Sequence, residues 1–130
     1  MSNLTQRKQR LLALCLLWGL LLAVLALQPE RLVEVFLPVL VMRDIAHVLT
    51  YGVFAFFIAL YLRFRRHLFG LSMTFLNAAF LAFALTVAWG GFTEWIQQFE
   101  PSRTVSLKDL AYDVLGAFAG VVVFVWRDRT

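Results

Sequence analysis

The fold is decided by the stretch Arg43-Asp44-Ile45-Ala46-His47-Val48-Leu49-Thr50-Tyr51-Gly52-Val53-Phe54-Ala55-Phe56-Phe57-Ile58-Ala59-Leu60-Tyr61-Leu62-Arg63. Between Asp44 and Arg63 lie 18 residues without a charge, close to the roughly 20 that carry a helix across the hydrocarbon of a bilayer. Working outward, residues 11–29 form a second charge-free window of 19 and residues 67–93 a third of 27. A fourth, residues 114–126, holds 13, or 18 if its helix starts at Asp109 and carries Asp113 inside. Lipid offers backbone groups no partner, so such runs fold as helices. The expectation is an all-α polytopic membrane protein, a bundle of four transmembrane helices with spans at about 11–28, 45–62, 70–93 and 109–126. One domain, residues 11–126, lies between a basic segment 1–10 and a tail 127–130.

Composition agrees. Of 130 residues, 62% are apolar and 15% charged, against about 45–50% and 25% in soluble domains. A soluble chain this short has too little interior to hide so much apolar surface. An ordinary soluble domain, a disordered chain and a disulfide scaffold are excluded; Cys15 is the single cysteine. The net charge of +4 forms no basic stripe, so no nucleic-acid partner is expected; the lipid bilayer is the environment. Eight Lys and Arg (positions 7, 8, 10, 63, 65, 66, 127 and 129) fall on one side of the spans and four (31, 43, 103 and 108) on the other. The positive-inside bias predicts both termini in the cytoplasm. Tyr61 and Trp126 then mark the inner boundary, and Trp89, Trp95 and Phe99 the outer one. A cleavable signal peptide ending at Val24-Leu25-Ala26 is the rival reading of the first span, and the length of its apolar stretch argues against it. The apolar connection 28–43, carrying Pro29 and Pro38, is expected in the outer interface or folded back on the bundle.

Seven of the eight acids fall at or near the outer face, only Asp128 elsewhere. Asp44, His47 and Tyr51 are spaced i, i+3, i+7 and share one helix face. Alone, Asp44 reads as the N-cap of its helix, whereas His47 lies below the interface and needs a partner. Glu94, Gln97 and Gln98 follow Gly90-Gly91, a pair that kinks a helix or admits a neighbouring backbone. Pro101 ends the third helix, and Ser106-x-x-Asp109 is a capping-box signature. Asp109, Asp113, Gly116 and Gly120 share a face, and Gly116-x-x-x-Gly120 lets that face press on another helix. Asp113 therefore points into the bundle and needs a partner: Arg103, Lys108 or His47. Two helix N-termini, at Asp44 and Asp109, meet at the outer face as an anion-binding place, and Arg103 adds a fork for phosphate or carboxylate. The expected binding residues are Asp44, His47, Tyr51, Glu94, Gln97, Arg103, Ser106, Asp109 and Asp113, with Gly116 and Gly120 for packing. Asp44, His47, Glu94, Asp109 and Asp113 add proton-transfer or metal-ligand capacity, but no two of them have a diagnostic metal-ligand spacing, and no cofactor is expected.

The two stretches Asp44-Ile-Ala-His47-x3-Tyr51 and Glu94-x2-Gln97-x5-Arg103-x2-Ser106-x2-Asp109-x6-Gly116-x3-Gly120 resemble the VanZ-like family of small membrane proteins, as does the turn Pro101-x-Arg103. The resemblance covers most of the chain from Arg43 onward. Val48 stands where that family often has Phe, and Asp113 where it often has Asn. The resemblance implies a bacterial inner-membrane protein; the family's founding member is associated with low-level resistance to the glycopeptide teicoplanin.

Three functions follow from these residues. In the first, the outer cleft binds an anionic envelope lipid or cell-wall-precursor headgroup. In the second, a membrane-embedded enzyme acts on such a headgroup, with Glu94 or Asp109 as general base, His47 as its partner or a metal ligand, and Arg103 as the oxyanion or phosphate clamp. No nucleophile motif supports the enzyme, which stands behind the binder. In the third, the polar cluster is helix glue in a homodimer or in a subunit of a membrane partner protein.

Overall fold

A computed structural model of the chain describes residues 3–28, 40–65, 67–68, 71–101 and 106–129. Four helices carry the fold: α1 (Asn3–Ala26), α2 (Leu40–Arg63), α3 (Phe75–Gln97) and α4 (Leu107–Arg129). Each is long and apolar enough to cross a membrane, so the chain is an all-α, multi-pass membrane protein. Two strands of two residues each, β1 (His67–Leu68) and β2 (Leu71–Ser72), pair antiparallel between α2 and α3.

The helix boundaries depart from the charge-free windows in instructive ways. α1 begins at Asn3 and includes Arg7, Lys8 and Arg10, because a helix satisfies its backbone equally well in the interface as in the hydrocarbon. α3 starts at Phe75, not near residue 70, because Thr74 supplies a cap: its hydroxyl accepts the Asn77 N–H at 3.2 Å. α3 also runs past Thr93 to Gln97, and turns carry the chain on to Pro101. Pro101 therefore does not end the helix itself. Gly90-Gly91 lie inside one continuous helix. α4 encloses Asp109 and Asp113, as the longer reading of the fourth window required. Residues 29–39 of the expected interfacial connection lie outside the described residues. From Leu40 onward it is helix.

The interior is built from small residues. Ala55, Ala59, Ala78, Ala82 and Ala117 have no exposed surface, while Leu16, Leu17, Leu20, Phe80, Phe118 and Trp126 face outward. Lipid tails are as apolar as leucine, so no hydrophobic force drives such helices together, and close backbone approach takes its place. The closest approach is the seam between α2 and α4. A Cβ added at Gly116 lies 2.5 Å from the Val48 carbonyl oxygen, and one at Gly120 collides with the Gly52 carbonyl. Any side chain larger than hydrogen at these two positions forces the helices apart. The Gly116-x-x-x-Gly120 face is thus spent on α2 of the same chain. Successive contacts from Asp44–Lys108 through His47–Asp113 to Gly52–Gly120 show that α2 and α4 run in the same direction, with α3 antiparallel to both. α1 packs at the edge through Cys15, Trp18 and Leu22, and Trp18 Nε1 donates to the Thr50 carbonyl at 3.0 Å.

Candidate functional site

At the end where α2 and α4 begin and α3 finishes, ionisable side chains from three helices meet. The i, i+3, i+7 spacing brings Asp44, His47 and Tyr51 to one face of α2, as expected. On α4 the one-turn step from Asp109 to Asp113 does the same. The glycine seam sets the distance between these faces and places them in hydrogen-bonding range.

His47 Nδ1 lies 2.6 Å from Asp113 Oδ1. Asp113 is 1% exposed, so this bond is what allows a carboxylate to sit at that depth. Of the three candidate partners, His47 is therefore the one the fold supplies. With the carboxylate accepting, the proton is on Nδ1 and Nε2 is left for other partners. The imidazole also stacks on Tyr51 at 6.2 Å between ring centroids, with 9° between the planes. Tyr51 is buried and its hydroxyl lies 2.6 Å from Thr93 Oγ1. Thr93 spends its own proton on the Gly90 carbonyl at 2.9 Å, so Tyr51 is the donor of the pair. Gly90 is required here for contact rather than for a kink: a Cβ on it lies 3.1 Å from Asp113 Oδ2 and 3.4 Å from the Tyr51 ring.

Glu94 has a partner that the sequence did not reveal. Its Oε2 accepts the Ser106 backbone N–H at 3.1 Å, while the Ser106 hydroxyl accepts the Asp109 N–H at 3.2 Å. Ser106 is thus the N-cap of α4, but the return half of the capping box comes from α3 and not from Asp109. The positive end of α4 already holds a carboxylate of the same chain. Asp44 is not an N-cap at all. α2 begins four residues earlier, at Leu40, and Asp44 Oδ2 instead receives Lys108 Nζ at 3.0 Å. The meeting of two helix N-termini inferred from the sequence thus reduces to one, that of α4. Arg43 stands 3.9 Å from Asp109.

Glu94, Gln97, Asp109 and Asp113 are all buried. The sequence singled out these four; the buried Thr86 and Thr93 it passed over, because a threonine in an apolar run carries no charge to draw notice. Arg103, the expected anion clamp, lies outside the described residues. Among the described residues no three His, Cys, Asp or Glu side chains converge closely enough to hold a metal ion. The carboxylates keep spare capacity all the same. Among the described residues, Asp44 Oδ1, Glu94 Oε1, Asp109 Oδ1 and Asp113 Oδ2 are buried without a hydrogen-bond partner. Such orphans are rare in folded chains, and four at one end of one bundle form a concentration of acceptors.

No family model matches the chain, and neither the curated proteins nor the solved structures contain a match to it.

Proposed function

We propose that this chain is a VanZ-like protein of a bacterial inner membrane that binds a phosphate-bearing headgroup, from an envelope lipid or a lipid-linked cell-wall precursor, in the polar end of its bundle. The observation that carries the reading is the set of four buried carboxylate oxygens that have no hydrogen-bond partner among the described residues. An acceptor without a donor costs about 1–3 kcal/mol or more in a protein interior, so a site that keeps several is poised for a ligand rich in donors. The cations within reach are already engaged: Lys108 with Asp44 and Arg43 with Asp109. The acids accordingly select the ammonium or hydroxyl portion of the headgroup. Its phosphate falls to Arg103, by the reading of the sequence. The eight-to-four distribution of Lys and Arg supports an orientation with both termini in the cytoplasm and this site at the outer face. A link to glycopeptide resistance rests on the VanZ-like resemblance.

The test uses donors as the variable. Purified chain in mild detergent is titrated with phosphatidylethanolamine and, separately, with phosphatidylcholine, whose methylated nitrogen has no N–H. Binding is read by native mass spectrometry. The expected result is at least tenfold preference for the ethanolamine lipid, lost in Asp109→Asn. Equal affinity for both lipids overturns the reading.

The His47–Asp113 bond favours a second reading. A histidine held by a buried carboxylate, with its other nitrogen available, is the arrangement of a general base. In that reading the chain turns the headgroup over, and His47→Ala abolishes release of product while leaving lipid binding in place.

A further inference from the structure

Cations gather at the end of the bundle opposite the polar cluster. α2 and α4 finish there, at Arg63 and Arg129. α1 starts there: its connection to α2, residues 27–39, is shorter than the roughly 20 residues a helix needs to recross the hydrocarbon, so α1 and α2 run in opposite directions. Most of the charge at this end is committed. Arg63 holds Asp128 at 3.3 Å, Arg65 donates to the Tyr61 hydroxyl at 2.7 Å, and the Arg127 guanidinium lies 5.9 Å over the Phe56 ring. The exception is the start of α1. Among the described residues no acid pairs with Arg7, Lys8 or Arg10, and α1 contains no acidic residue of its own.

Arg7 and Arg10 head a stripe. With Leu14, Leu17 and Leu21 they are spaced i, i+3, i+7, i+10 and i+14, which is one face of α1. All five are exposed, while the buried Cys15 and Leu22 pack a different face on the bundle. From Arg10 to Leu21 the stripe descends about 16 Å, close to the roughly 15 Å of one leaflet's hydrocarbon. A lipid beside these leucines is a consequence of the fold, and its headgroup arrives at the level of Arg10 and Arg7. Which lipid settles there is a matter of charge. Two guanidiniums one turn apart, with an ammonium beside them, suit the oxygens of a phosphate. A zwitterionic headgroup carries its own cation into the same place, and an anionic one does not. A second copy of the stripe is disfavoured for the same reason: it sets Arg7 and Arg10 against like charges with no carboxylate between them.

We infer that the start of α1 is a selective site for an anionic phospholipid in the leaflet on the side of both termini, its phosphate held by Arg7 and Arg10 with Lys8 alongside. The site lies at the far end of the bundle from the headgroup cluster and does not depend on the function proposed above.

The test is native mass spectrometry of the full chain in mild detergent. Dioleoylphosphatidylglycerol and dioleoylphosphatidylcholine, which share their acyl chains, compete in equal amounts. Each cation at a membrane surface is worth about fivefold toward an anionic lipid, so the unaltered chain retains the phosphatidylglycerol at least tenfold over the phosphatidylcholine. The triple change Arg7→Gln, Lys8→Gln and Arg10→Gln brings that ratio close to one. Arg63→Gln, whose charge is spent on Asp128, leaves it unchanged. Equal retention of the two lipids by the unaltered chain overturns the inference. So does a preference that survives the triple change, or one that Arg63→Gln lowers as much as the triple change does, since the charge then acts from elsewhere or without a site. A disulfide between copies carrying Leu17→Cys in a Cys15→Ser background also overturns it, because a second copy then covers the stripe. Should the triple variant fail to fold, Arg10→Gln alone decides: it lowers the ratio about fivefold, and no change refutes the site.

Discussion

Gly116→Ala puts the seam to the test. The new methyl arrives 2.5 Å from the Val48 carbonyl oxygen, 3.0 Å from its Cα and 3.1 Å from its carbonyl carbon. All three are backbone atoms, so no side chain can swing aside. Restoring an ordinary contact of 3.4 Å requires the helices to part by about 0.9 Å (3.4 less 2.5) at that level. Val48 is the neighbour of His47, and Asp113 precedes Gly116 by less than a turn, so the same displacement reaches the 2.6 Å His47–Asp113 bond and stretches it to about 3.5 Å, the limit of a hydrogen bond. Overpacking alone costs about 1–3 kcal/mol, and parting a buried pair about 3–5 kcal/mol. Alanine's better helix propensity returns only about 0.5–1 kcal/mol. The expected net loss is about 3–7 kcal/mol, read by reversible unfolding in mixed micelles with tryptophan fluorescence as the probe. Gly91 has open space where a Cβ would go, so Gly91→Ala reports propensity alone and should be neutral or slightly stabilising. If Gly116→Ala loses no more than Gly91→Ala, the seam does not set the helix spacing and the argument fails. If the loss persists undiminished in an Asp113→Ala background, it runs through packing and not through the His47 bond.

Three further outcomes follow. Tyr51→Phe removes one buried hydrogen bond but leaves Thr93 its bond to Gly90, so unfolding should show a loss of only about 0.5–1.5 kcal/mol. Ser106→Ala removes the cap on the Asp109 N–H and should lower stability by about 0.5–2 kcal/mol, with hydrogen exchange quickened in the first turn of α4 and unchanged in α2. Arg63→Ala breaks an exposed pair with Asp128 and should change stability by no more than about 1 kcal/mol, a difference that shrinks further at high salt.

The four spans were legible in the sequence because bilayer thickness sets their length and lipid forbids any other backbone. The polar stripe of α2 was legible for a similar reason: i, i+3, i+7 is a fact of helical geometry. What the pattern could not give was pairing between helices. Asp113 had three candidate partners, and only the spacing imposed by Gly116 and Gly120 selects His47. Asp44 looked like a cap because the apolar Leu40, Val41 and Met42 before it matched an interfacial segment as well as they match a first helical turn. Ser106-x-x-Asp109 was read as self-contained because a capping box is defined along one chain segment. Glu94, 12 residues earlier on α3, enters it from outside that segment.

The fourth helix is the least apolar of the four and carries Lys108, Asp109 and Asp113. Such residues are expensive for a segment entering the membrane alone, at up to about 2.5–3.5 kcal/mol each near the helix centre. Yet every ion-pair partner described for them is made earlier in translation, Arg43, Asp44 and His47 on α2, as is Glu94 on α3, which accepts from the backbone at Ser106. When this segment leaves the ribosome, its counter-charges are already in place. The order of the helices along the chain therefore suits an order of assembly, in which the last span is received by the second and third and need not insert on its own apolar merit.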